Sequence, residues 1–242
     1  MEILLIFPLG LVLGSFLTVL ANRLPLGEDV LMSRSHCDYC KKILRWWELI
    51  PIVSFLIQMG RCRKCRKSLS LEYPFVELVT GCGLVMLSTT IGFSSILLLI
   101  SSWAIFASLL VITIADWKYE IIPDSMVVVL ILSSLGLGRH DVQTALGAAL
   151  FFFLLWLGTK GQGMGFGDVK LAFALGFFLG YPLTVVALYT AFLTGALCGV
   201  ILILCGKKGL KSHISFGPFL ILGIGVASVW GDQLLRIWNQ IL

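Results

Sequence analysis

Eight apolar blocks constrain this chain more than any other feature. They run over approximately 3–22, 74–92, 95–115, 125–138, 142–159, 169–180, 182–205 and 215–231. Crossing the hydrocarbon core takes roughly 20 apolar residues in a helix, so most of these blocks read as spans; the fourth and sixth are short. Of the 242 residues only 13% are charged and 58% are hydrophobic, where a soluble domain is about 25% charged. The expected fold is an all-α polytopic membrane protein of about eight transmembrane segments. Gly92-Phe93-Ser94, Gly138-Arg139-His140-Asp141 and Gly180-Tyr181-Pro182 read as tight turns between them. The N-terminus opens on Glu2 rather than a basic stretch, and no small-residue cleavage site precedes the first polar segment. It therefore reads as a retained first span rather than a signal peptide.

Charge orients the spans. Ten of the 18 Lys and Arg residues fall between Arg23 and Lys67. With the N-terminus outside, the inside loops are 23–73, 116–124, 160–168 and 206–214. These hold fifteen basic residues, including Lys118, Lys160, Lys207, Lys208 and Lys211, and Lys170 at a loop edge makes sixteen. Only Arg139 and Arg236 remain outside, so the positive-inside rule favours this orientation in the plasma membrane. The net charge of +5 is thus a topology signal with some attraction to membrane lipid, and nucleic acid is not an expected partner. The expected organisation is a first span at 1–22, a cytoplasmic polar domain at 23–73 and a helical membrane domain at 74–242.

The polar domain is too small to bury much core, so it needs a staple. Cys37-Asp38-Tyr39-Cys40 and Cys62-Arg63-Lys64-Cys65 stand 21 residues apart. Two Cys-x-x-Cys knuckles at this separation can offer four thiolates to one tetrahedral zinc. A cytoplasmic loop disfavours disulfides, which leaves redox pairing or unligated thiols as the alternatives. Four cysteines would close the coordination shell, making the zinc structural. Cys82, Cys198 and Cys205 lie in apolar blocks and read as small buried fillers. His36, His140 and His213 are scattered and receive no role.

Two aspartates carry the chemistry. Asp116 ends the run Ile112-Thr113-Ile114-Ala115-Asp116, and Asp168 ends Gly163-Met164-Gly165-Phe166-Gly167-Asp168. Carboxylates at span ends are costly and usually functional. The loop assignment puts both on the same, cytoplasmic face. Two close carboxylates share one proton, one acting as general base and the other as acid, which is the apparatus of an aspartic protease. Gly165 and Gly167 permit unusual backbone angles and close approach of a substrate strand. Pro123 ends the loop, and Asp124 reads as a cap for the next helix or as a support that orients Asp116. Taken singly, either aspartate is more simply a helix cap at the interface.

These motifs resemble those of the bacterial prepilin peptidases, the type IV leader peptidases of the A24 type. Asp116-Trp117-Lys118-Tyr119-Glu120-Ile121-Ile122-Pro123-Asp124 looks like their first aspartate motif. Gly165-Phe166-Gly167-Asp168-Val169-Lys170-Leu171 looks like their Gly-x-Gly-Asp motif. Gly14-Ser15-Phe16-Leu17-Thr18-Val19 and Asn22-Arg23-Leu24-Pro25 resemble the segment that precedes the knuckles in the same family. The resemblance runs in order from about residue 10 to residue 205.

It implies an aspartic endopeptidase with Asp116 and Asp168 as catalysts, cutting prepilins or pseudopilins at the cytoplasmic face. The cut would fall after a Gly, between a short basic leader and a hydrophobic helix. Glu120 and Asp124 are candidates to receive the leader. Many members also methylate the new N-terminus with S-adenosylmethionine, an activity the resemblance assigns to the N-terminal half, with Gly14, Asn22 and Arg23 as candidates for that site. Thr18 departs from the family, which often has Asn there. A peptidase without methyl transfer is the alternative within this class, and the length is that of the compact forms that process competence pseudopilins.

Three rivals remain from the residues. A transporter also carries membrane carboxylates, but near the bilayer centre and often with inverted repeats. A zinc-knuckle scaffold leaves the aspartates unexplained. A presenilin-type intramembrane protease shares Gly-x-Gly-Asp but not the four-cysteine loop.

Overall fold

Each apolar block folds as one helix, and its ends are set by residues that break the hydrogen-bond ladder. The computed structural model describes residues 2–241 except 31, 32, 38, 94 and 207–214. Asp38, Ser94, Lys207, Lys208, Lys211 and His213 lie outside the described residues. The helices are α1 (Glu2–Arg23), α2 (Val53–Ile57), α3 (Glu72–Ile91), α4 (Ile96–Tyr119), α5 (Asp124–Gly136), α6 (Val142–Gly158), α7 (Phe166–Leu179), α8 (Leu183–Leu204) and α9 (Gly217–Ile241). Among the described residues there is no named β-strand, so the chain is an all-α polytopic membrane protein.

Five of these helices, α1, α3, α4, α8 and α9, are long and apolar enough to cross a bilayer. Of the other four, α2 has 5 residues, and the apolar helices α5, α6 and α7 have 13, 17 and 14 residues. At 1.5 Å per residue they reach only about 20–26 Å against a core of about 30 Å. Of the eight apolar segments, five are therefore long enough to span; the fourth and sixth are short, as expected, and the fifth, α6, is shorter than a full span too. Two boundaries also move. The last helix continues to Ile241, because Asp232 and Arg236 end the apolar composition without ending the helix. Asp168 lies within the first turn of α7 rather than before it.

The chain divides into two compact units, Met1–Val111 and Ile112–Leu242. In the first, α1 packs on α3 through small residues. A Cβ on Gly10 would stand 2.7 Å from the Gly81 Cα, and one on Gly14 would stand 2.7 Å from the Glu77 Cα. Lipid supplies no hydrophobic drive between helices, so close backbone approach has to come from such residues. The buried hydroxyls of Thr18, Thr80 and Ser88 donate to carbonyls one turn back in their own helices. Trp103 Nε1–H donates to Ser88 Oγ at 3.2 Å, joining α4 to α3.

In the second unit α6 lies against α7, where Gly176 has no room for a Cβ beside Ala145. Likewise α9 is pressed on α8 where Gly223 meets the Ala187 carbonyl. Phe152 of α6 is fully buried. Its ring centroid lies 5.9 Å from that of Phe192 on α8 and 6.1 Å from that of Phe216, which immediately precedes α9. This aromatic cluster fixes where α9 begins.

Candidate active site and metal centre

Asp116 occupies the last turn of α4. That helix stops at Glu120, which takes a left-handed φ of 54° and donates its N–H to the Asp116 carbonyl at 2.9 Å. Ile121 and Ile122 then run to Pro123, whose extended backbone (ψ 123°) precedes α5. Asp168 stands third in α7, after the N-cap Gly165, and its N–H donates to the Gly165 carbonyl at 3.2 Å. Both carboxylates are buried, with only 5% and 6% of Asp116 and Asp168 exposed. Asp116 is close enough for its charge to act on the Asp168 carboxyl. The pair thus comes from α4 and α7 within one unit.

The partners of the two groups differ. Asp116 Oδ2 accepts the backbone N–H of Gly217 at 2.9 Å. A Cβ on Gly217 would lie 2.5 Å from that oxygen, so only glycine lets the start of α9 approach the carboxylate. Asp168 Oδ1 is buried with no hydrogen-bond partner among the described residues. A buried polar oxygen of this kind calls for a water or a substrate group.

The motif glycines work by proximity rather than by unusual angles. Neither Gly165 nor Gly167 has a left-handed φ, which corrects the expectation drawn from glycine's freedom. A Cβ on Gly167 would come 3.1 Å from Ile122 Cβ. The missing side chain therefore lets the first turn of α7 close on the loop that follows Asp116. A Cβ on Gly165 would make ordinary contact with Asp168 Oδ2 at 3.6 Å. Asp124 also departs from expectation. It makes no side-chain cap of α5, and its carboxylate accepts Lys170 Nζ at 2.7 and 2.9 Å. It ties α5 to α7 rather than orienting Asp116.

Sequence reasoning missed Gly217. The available signal was Phe216-Gly217-Pro218 opening the last apolar block, where a proline in the first turn marks a helix start. That pattern announces a helix N-terminus but not the carboxylate it meets.

In the first unit, the three residues proposed near a methyl-donor site are occupied within the protein. Gly14 faces Glu77 and Thr80 across the α1–α3 contact. Asn22 Nδ2 donates to the Thr18 carbonyl at 2.8 Å. The Arg23 guanidinium donates to the carbonyls of Asp29, Ser33 and Arg34 and to Ser33 Oγ, clamping the loop after α1.

The cysteine knuckles do converge. Their four sulfurs lie within 4.8 Å of one another, with Cys37–Cys65 at 3.9 Å and Cys40–Cys62 at 4.0 Å. A tetrahedron with metal–sulfur bonds of ~2.3 Å has sulfur–sulfur edges of about 3.8 Å, so the four can hold a metal ion. The knuckles repeat one geometry. Lys41 N–H bonds to the Cys37 carbonyl and Cys37 N–H to the Lys42 carbonyl; Arg66 and Cys62 N–H groups do the same with Cys62 and Lys67. Lys41 and Arg66 both take left-handed φ values, 52° and 55°.

Backbone N–H groups of Cys65 and Lys64 pull the Cys62 thiol down to about 6. Cys65 moves the other way. The Lys67 N–H favours its thiolate, but burial and the neighbouring sulfurs push it up to about 11. Such a cluster loses its remaining protons when a cation arrives. Nearby, Glu48 accepts Lys42 Nζ at 2.8 Å and Arg45 N–H at 3.0 Å. Burial raises its pKa, and these bonds outweigh burial to leave it lowered.

Two family models match the chain. Residues 8–91 match the Bacterial Peptidase A24 N-terminal domain, and residues 103–202, with both aspartates, match the Type IV leader peptidase family. A prepilin leader peptidase/N-methyltransferase of Bacillus subtilis (strain 168) is 31% identical over 242 residues, covering 97% of this chain and 96% of the relative. The protein of the same name from Stutzerimonas stutzeri is 30% identical, covering 96% and 92%. That from Legionella pneumophila is 31% identical, covering 86% and 76%. No solved structure matches.

Proposed function

Since this chain belongs to the type IV leader peptidase family, we propose that it cleaves the leader from prepilins or pseudopilins and methylates the new N-terminus. The observation that carries the cleavage reading is the pair of buried carboxylates from α4 and α7, one held by a backbone N–H and the other with an oxygen that has no partner among the described residues. The pair shares one proton, and its two titrations belong to the pair rather than to either residue. The ionised carboxylate takes a proton from water as that water attacks the scissile carbonyl. The protonated one hydrogen-bonds the carbonyl oxygen and then supplies the departing amine. Asp168 Oδ1 receives the water or the substrate group, while the Gly217 N–H keeps Asp116 in place. Gly165, Gly167 and Pro123 support this geometry, and Asp124 supports it through Lys170.

The site lies at the cytoplasmic face, with the N-terminus outside, and cleavage falls after a Gly at the start of the substrate's hydrophobic helix. The charge distribution supports this orientation. Glu120 receives basic residues of the leader, joined by Asp124 when Lys170 yields. Segment 23–73 is a small domain stapled by structural Zn2+ on Cys37, Cys40, Cys62 and Cys65. Thiolate ligands and a tetrahedral four-sulfur geometry suit zinc. Methyl transfer uses S-adenosylmethionine as co-substrate and belongs to the N-terminal unit. Gly14, Asn22 and Arg23 serve there as the packing and clamping framework.

The test is incubation of membranes carrying the protein with a substrate that has a basic leader, Gly and an apolar helix. Product mass is read with and without S-adenosylmethionine. Cleavage after Gly, with a one-methyl increment only when the donor is present, is the expected result. Cleavage without the increment leaves a peptidase alone, and no cleavage by a folded sample returns the chain to a transporter or scaffold.

A further inference from the structure

Residues 46–59, outside the spanning helices, expose an unusual amount of apolar surface. Trp46 is 72% exposed, Leu56 67%, Ile57 65% and Met59 86%, and Leu49 and Val53 are also exposed. A soluble loop of this composition would bury such residues or avoid them. The segment also holds two non-glycine residues in the left-handed region, Ile52 at φ 59° and Met59 at φ 51°. For a β-branched residue such as Ile52 this is a costly conformation that surrounding structure has to enforce.

Ile52 N–H donates to Glu77 Oε2 at 2.7 Å, and Glu77 is buried. It stands five residues past Glu72, the start of the spanning helix α3, or about 7.5 Å along the axis. The polar interface of a bilayer is about 5–8 Å deep on each side. The Ile52–Glu77 bond therefore ties the segment to the first turns of a spanning helix.

We infer that residues 46–59 form an in-plane membrane anchor, seated in the headgroup layer with their apolar side chains toward the acyl boundary. Tryptophan is the side chain that prefers this layer. The flank supplies the matching charge: Arg61, Arg63, Lys64, Arg66 and Lys67 are all exposed, and anionic lipid attracts such a run. The bond to Glu77 of the spanning helix α3, together with that charge, selects the lipid surface over a protein partner. The anchor sets the height of the second knuckle, which begins at Cys62, three residues beyond Met59.

A photo-crosslinking residue at Leu56 of the full-length protein tests this in nanodiscs of zwitterionic lipid with and without anionic lipid. The same probe at exposed, polar Glu28 is the control. Lipid adducts should dominate at Leu56, be scarce at Glu28 and increase with anionic lipid. Lys64→Gln should cut the anionic preference about fivefold, the factor expected for one basic residue near such a surface. Adducts at Leu56 to residues 112–242, or to an added prepilin-like substrate, would overturn the anchor and make the patch a protein-docking face. The readout does not depend on cleavage, so it stands apart from the proposed peptidase activity.

Discussion

At the scale of single residues, the site depends on what is missing as much as on what is present. Asp116 and Asp168 are chemical groups and could be read directly from the sequence. Gly217 acts through its N–H and its lack of a side chain, and no residue type announces that. Gly217→Ala would place a Cβ 2.5 Å from Asp116 Oδ2 and displace the carboxylate or the start of α9. A misplacement near 1 Å costs on the order of 100-fold in rate. We expect kcat for leader cleavage to fall by about that factor while thermal unfolding changes little. Gly225→Ala, where a Cβ meets nothing within 4 Å, is the control and should leave the rate unchanged. Comparable rates for the two variants would remove Gly217 from the site. Asp124 shows the opposite limit. Its proximity to Asp116 in sequence suggested support for that residue, but a lysine 46 positions away claims it. Such a long-range ion pair leaves no local trace in the chain.

At the scale of helices, legibility followed composition. The apolar blocks located every long helix because burial in lipid demands uninterrupted apolar stretches. Their ends were harder to place. Capping depends on geometry, as at Glu120, where a residue with no special turn propensity ends α4 in a left-handed conformation. Where cap chemistry is strong, as at the expected turn 138–141, sequence and structure agree. Asp141 accepts the Thr144 N–H at 3.0 Å and its hydroxyl at 2.6 Å. These bonds, the Thr144 hydroxyl foremost, hold the Asp141 carboxyl below its usual pKa. A depressed folded-state pKa means that the stabilisation is present above the unfolded value of about 3.9 and is lost as pH falls through the folded one. Asp141→Asn keeps a capping oxygen without the titration. The melting advantage of the parent over this variant should therefore be constant near neutrality and shrink below about pH 4. An advantage that grows on acidification would contradict the cap.

At the scale of the molecule, the two units hold different features: four cysteines that can hold a metal ion in the N-terminal unit, and both carboxylates in the other. The convergence of four cysteines was legible because zinc knuckles are local motifs. The α1–α3 contact that occupies Gly14 was not, because a small residue reads alike as packing or as a ligand site. Zinc analysis of purified Cys40→Ser and Cys62→Ser proteins should find the metal reduced from one per chain and the melting temperature lowered, with cleavage by the surviving folded fraction little changed. A parent protein without metal and with intact thiols would refute the centre. The central claim is that Asp116 and Asp168 act as one proton-sharing pair. It is tested most directly by measuring leader cleavage for Asp116→Asn, Asp168→Asn and the double variant in the same membranes, with insertion and zinc content checked. The account predicts that each single variant is as inactive as the double one while remaining inserted and metal-loaded, because half of a shared-proton pair does no chemistry. Substantial cleavage by either single variant would contradict it.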